Sequence, residues 1–155
     1  MAADNGLVQK ILDAVPQQHP FRFIDDITEI DENGITGTYR FRPDESFYAG
    51  HFPGQPITPG VILIESMAQV SVVAFGIYQL MLQGDAGKMK DLVTLFSMVE
   101  GVEFLKPVYP GDKVIIRGEK VYFRKSNLKV SASMEKEDGT VVCHGTLLGV
   151  GARIG

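Results

Sequence analysis

The sequence predicts an α+β fold in which an antiparallel sheet of about six strands packs around one long central helix. Three observations lead there. A single apolar run, Val61 to Leu82, is long enough for a helix of roughly 25 residues. The other long apolar segments alternate with period two and end in turn chemistry. No strand–helix–strand alternation occurs, which argues against a parallel sheet. The 155 residues, 45% of them hydrophobic, carry no repeat, linker or low-complexity segment, so one domain spanning 1–155 is expected.

Taken in order, Leu7, Val8, Ile11, Leu12 and Val15 recur at helical spacing before Pro16, predicting a short amphipathic helix. Phe21 to Ile30 and Ile35 to Arg42 read as strands joined through Asp31-Glu32-Asn33-Gly34, where Asn-Gly signals a tight hairpin. Pro43 ends the second. From Gly50 to Gly60, three prolines and three glycines leave no room for a hydrogen-bond ladder, so this stretch is a loop. The long helix follows. Thr58 suits its N-cap and Pro59 its first position, and Gly60 then presents an N–H without an intrahelical acceptor. Gly84, Gly87 and the polar residues up to Lys90 end it. Leu92–Leu105, Lys113–Lys125, Leu128–Glu137 and Thr140–Val150 are the remaining strands, divided by Pro107–Gly111, Ser126-Asn127 and Asp138-Gly139. Because the helix is apolar on nearly every side, a curled sheet and a second copy of the chain are expected to cover it.

A net charge of −4 argues against a general nucleic-acid binder. Cys143, the single cysteine, permits no intrachain disulfide and fits a reducing compartment. The N-terminus lacks the basic and apolar regions of a signal peptide, and Glu65, Ser66, Gln69, Ser71 and Gln79 interrupt the apolar run, so a soluble, cytoplasmic protein without a membrane span is expected.

Candidate chemistry is concentrated around the loop and helix. None of His19, His51 and His144 has metal-ligand spacing, so no metal is expected. His51 alone could be a structural loop residue. It precedes a helix N-terminus, however, whose free N–H groups can hold a carbonyl oxygen as negative charge develops. Glu65 could be a buried acid satisfied by Gln69, or an acid whose burial raises its pKa so that it holds a proton near neutrality. An imidazole base, a protonatable carboxyl and the Gly60 N–H together suit proton abstraction beside a carbonyl followed by loss of a leaving group. Other signals are weaker. Gly149–Gly155 has no following helix and so makes no nucleotide loop, and Cys143 reads as a structural thiol. Lys120, Arg124, Lys125 and Lys129 gather on one hairpin, either a solvated edge that discourages sheet pairing or a dock for an acidic partner.

The string Gly50-His51-Phe52-Pro53-Gly54-x-Pro56-x-x-Pro59-Gly60-Val61, followed by Glu65-x-Met67-Ala68-Gln69, closely resembles the FabZ-type 3-hydroxyacyl-[acyl-carrier-protein] dehydratases. Phe104-x-x-Pro107-Val108-x-Pro110-Gly111-Asp112 and Pro20-Phe21-x-Phe23-Ile24-Asp25 extend the resemblance from about Pro20 to Val150. It implies a hot-dog fold, and a dimer, often a trimer of dimers, with each active site shared between protomers. His51 of one chain would then face Glu65 of the other. The implied roles are removal of the C2 proton by His51, help from Glu65 in departure of the 3-hydroxyl, carbonyl binding by the Gly60 N–H and orientation of Glu65 by Gln69. Phe52 and Pro59 complete the expected substrate site. The partner is acyl carrier protein bearing the substrate on its phosphopantetheine arm, with no cofactor, and the product is the trans-2-enoyl thioester of fatty acid or related polyene and polyketide synthesis. Isomerising relatives carry Asp at the position of Glu65, so dehydration without isomerisation is expected. Two departures bear on substrate range: Gln17-Gln18-His19 replaces the family's Pro-His-Arg-Tyr type lead-in, and Tyr109 stands where a smaller residue is common. A hot-dog acyl-thioesterase, with Glu65 activating water, is the alternative.

Overall fold

A computed structural model describes residues 2–84 and 92–153; Gly87, Lys90 and the last two residues of the terminal glycine-rich tail lie outside them. Helix α1 (Asn5–Ala14) is capped by Asp4, whose carboxylate accepts from the Leu7 N–H at 3.0 Å, and Val8 and Ile11 bury its inner face. Strands β1 (Asp26–Ile30) and β2 (Gly34–Arg40) form the expected hairpin, with Asp31 accepting from the Asn33 and Gly34 N–H groups. The long helix runs from Gly60 to Leu82. It comprises α2 (Gly60–Ala68), a π-helical segment (Gln69–Ala74) and α3 (Phe75–Leu82). Strands β3 (Leu92–Phe104), β4 (Lys113–Arg124), β5 (Asn127–Lys136) and β6 (Val141–Arg153) complete one antiparallel sheet, in the order β1-β2-β4-β5-β6-β3. The sheet wraps the helix, as a hot-dog fold requires. Met67, Val70, Ala74 and Phe75 on the helix are fully buried against it, which is how a helix apolar enough for a membrane span is accommodated without one.

Three sequence expectations change. Pro59, not Thr58, is the N-cap, and Gly60 is the first helical residue. Thr58 is drawn inward instead, its hydroxyl bonded to Tyr48 Oη at 2.7 Å and its N–H donating to the Val108 carbonyl at 2.9 Å. Phe21 to Asp25 do not belong to β1, because the main chain at Phe21 and Phe23 bonds the helix side chain Gln69 rather than a neighbouring strand. The basic β4–β5 hairpin lies in the middle of the sheet, so it protects no edge, and Lys120 Nζ donates to Gln79 Oε1 at 3.2 Å. The edge beside β6 is β3, which exposes Leu95, Phe96, Val99 and Phe104.

Candidate active site

The loop before the helix holds His51 through its backbone and its ring. Its N–H donates to the Phe47 carbonyl at 3.1 Å and its carbonyl accepts from Ile57 at 2.9 Å. Nδ1 lies 2.9 Å from the Ile57 carbonyl oxygen. A carbonyl can only accept, so Nδ1 carries the proton and Nε2 of the neutral ring keeps its lone pair. Phe52 stacks on the imidazole at 4.1 Å between centroids and is itself about half exposed (52%). Ile57, Gly60, Leu63, Phe104 and Lys106 join His51 around an open recess. As the first residue of the helix, Gly60 has an N–H with no intrahelical acceptor. The Phe104 ring packs over its Cα so closely that a Cβ there would lie 3.0 Å from the ring.

Glu65 sits one turn further along, half-buried, with Gln69 Nε2 donating to its Oε1 at 2.9 Å. Desolvation pushes its pKa above the ordinary 4.5, against the smaller lowering effect of the Gln69 hydrogen bond. Gln69 is fully buried and uses both ends of its amide: Nε2 also donates to the Phe21 carbonyl at 2.9 Å, and Oε1 accepts from the Phe23 N–H at 2.6 Å. Ser66 Oγ adds a bond to the Phe23 carbonyl at 3.0 Å. The orientation of Glu65 is thereby tied to a loop more than forty residues away.

The two candidate acid–base groups do not meet within one chain. Glu65 lines a second recess with Gln17, Val72, Val73, Thr94 and Phe96, while His51 lines the first. The Glu65 recess shares Val72, Val73 and Thr94 with an apolar cavity that continues along the helix to Gly76 and Leu80. Of the residues expected from the sequence, His51 and Gly60 come together, Phe52 flanks them, Pro59 caps the helix, and Glu65 and Gln69 form a separate pair. Sequence reasoning did not assign Phe104, Lys106 or Gln17 to these recesses. The first two lay in or beside the second motif, and Gln17 was visible as a departure from the family lead-in.

The model of the FabA-like domain family matches residues 15–148. The chain is 35% identical over 142 residues to the 3-hydroxyacyl-[acyl-carrier-protein] dehydratase FabZ of Caldicellulosiruptor bescii, covering 91% of this chain and 95% of that one. It is 38% identical over 137 residues to the enzyme of the same name from Acidiphilium cryptum, covering 88% and 79%. In fold it is similar to a chain of the dehydratase heterocomplex ApeI:P from Xenorhabdus doucetiae, with a TM-score of 0.75 at 14% identity over 92% of this chain and 91% of that one. With the loop motif, the Glu65–Gln69 pair and the wrapped helix all in place, the chain belongs to the FabA-like family, among its FabZ-type hot-dog dehydratases.

Proposed function

We propose that this protein dehydrates (3R)-3-hydroxyacyl groups carried on acyl carrier protein to the trans-2-enoyl thioester, in fatty acid biosynthesis, at a site completed by two copies of the chain. His51 Nε2 removes the C2 proton, the C2–H pair becomes the C2=C3 double bond, and the C3–O bond breaks as Glu65 gives its proton to the departing hydroxyl. The Gly60 N–H binds the thioester carbonyl oxygen while charge builds there. The apolar cavity beyond Glu65 takes the acyl tail. Glu at position 65 favours dehydration without double-bond isomerisation.

The observation that carries this reading is the tautomer of His51: with Nδ1–H given to the Ile57 carbonyl, Nε2 is a base with a fixed direction. Glu65 supports it as the complementary acid, since burial favours its protonated form. Placement of the two in separate recesses fits a site shared across a dimer, as do the exposed apolar side chains of Val61, Phe96 and Phe104. One chain then supplies base and carbonyl grip while the other supplies acid and tail cavity. A cytoplasmic enzyme without metal or cofactor is part of the same proposal.

The test is formation of enoyl absorbance from 3-hydroxyacyl-[acyl carrier protein]. His51→Ala and Glu65→Gln should each reduce turnover by about 10²–10⁴-fold with the protein still folded. Release of free thiol without enoyl product would identify a thioesterase instead.

A further inference from the structure

Between α1 and β1 the chain is held by main-chain contacts that bring Gln17 to the Glu65 recess. Arg22 Nη2 donates to the Leu12 carbonyl at 2.8 Å and Nη1 to the Gln17 carbonyl at 3.5 Å. Gln18 Nε2 donates to the Val15 carbonyl at 3.1 Å, and Gln69 fastens Phe21 and Phe23 to the helix. Gln17 is thus placed by the same network that orients Glu65. Gln17 lines the recess with Glu65, and its Oε1 is buried with no hydrogen-bond partner among the described residues. Such an acceptor is costly to leave unpaired: Ala68, Val72, Val73 and Phe96 of the recess carry no side-chain donor, and Thr94, whose hydroxyl could donate, makes no bond to it. Gln69 already occupies Glu65 Oε1. The donor that the proposed reaction brings into this recess is the substrate's 3-hydroxyl.

Resting on the dehydratase reading, we infer that Gln17 binds that hydroxyl: Oε1 accepts its hydrogen and so turns a lone pair of the hydroxyl oxygen towards the Glu65 carboxyl. When C3–O breaks, the oxygen keeps its own hydrogen, takes the Glu65 proton and leaves as water still donating to Gln17. The amide therefore distinguishes a 3-hydroxyacyl group from a saturated one. Its place in the lead-in, where this chain departs from the family pattern, makes it a determinant of substrate choice in this protein.

The experiment compares equilibrium binding of 3-hydroxyacyl- and saturated acyl-[acyl carrier protein] of equal chain length, in a Glu65→Gln background that stops turnover. Adding Gln17→Met, similar in length but without the acceptor, should weaken the hydroxyacyl ligand roughly tenfold and leave the saturated one within about twofold. Equal weakening of both ligands, or of neither, overturns the role. Gln17→Asn, which withdraws the oxygen by one methylene, gives a second variant, and loss of the native assembly in both would place the amide in a subunit contact and overturn the role too. A protein with Glu65 intact that forms no enoyl product defeats the dehydratase reading and this role together. Normal dehydration with indifferent Gln17 variants defeats this role alone.

Discussion

At the scale of single residues, the proposed chemistry turns on how two ordinary side chains are constrained. His51 is half-buried and donates its Nδ1–H to a carbonyl six residues on, so the loop itself selects the tautomer. Glu65 is constrained through burial, with a consequence for stability as well as reactivity. Its folded pKa lies above 4.5, so the folded chain holds this proton more tightly than the unfolded one. The resulting stabilisation is present at pH below 4.5 and is lost as pH rises through the folded value. Glu65→Gln removes the charged form, so thermal melts should show the variant gaining on the parent as pH is raised from 4 to 8. A gap independent of pH would count against desolvation as the dominant influence. Gln69→Leu leaves the buried Phe23 N–H without its acceptor, and should cost about 1–3 kcal/mol. At ~2–4 °C per kcal/mol for a chain of this size, a calorimetric melt would register it.

At the scale of elements, the π-helical segment is where sheet and helix come closest. A Cβ on Gly37 of β2 would lie 2.9 Å from Val70, one on Gly118 of β4 2.5 Å from Ser71, and one on Gly149 of β6 2.1 Å from Val72. Three consecutive helix residues thus each face a strand residue that lacks a side chain. The widened turn lets the sheet close around the helix there, and Ser71 Oγ bonds back to the Met67 carbonyl at 2.6 Å. Gly149→Ala should therefore cost about 1–3 kcal/mol through overpacking against Val72. A Tm within a degree of the parent would mean that β6 can move away freely. Strand order was only partly legible in the sequence. Asn33-Gly34 and Asp138-Gly139 specify their hairpins by turn chemistry, and every strand but β1 occurs within about three residues of its predicted bounds. The start of β1 at Asp26 rather than Phe21 was not legible, because Gln69, far along the chain, takes the hydrogen bonds that a strand would have used. Nor was the π segment, since the glycines that accommodate it come from three separate strands.

At the scale of the whole molecule, one chain presents an apolar surface in two parts: the edge strand β3 with Leu95, Phe96 and Val99, and the helix entrance with Val61, 72% exposed, beside Phe52 and Phe104. An unpaired edge of this kind accepts another strand, and a second copy of β3 would extend the sheet across a two-fold axis. Val99→Lys should halve the mass measured by light scattering and abolish turnover together. Sharing of the site has its own test. Random co-assembly of His51→Ala with Glu65→Gln makes half the dimers mixed, each with one intact site, and should restore about a quarter of parental activity. No recovery would put base and acid in the same chain. The amino-acid order by itself determined the long apolar helix, the proline–glycine loop before it, the hairpins and the candidates for base, acid and orienting amide, because turn chemistry, hydrophobic period and motif spacing are properties of neighbours along the chain. Only the tertiary structure decided that Gln69 holds Phe21, Phe23 and Glu65 at once, that His51 and Glu65 open onto different recesses, and that Gln17 buries an unpaired oxygen beside one of them. Each of these depends on groups distant in sequence being brought into hydrogen-bond range, a distance that no local pattern encodes.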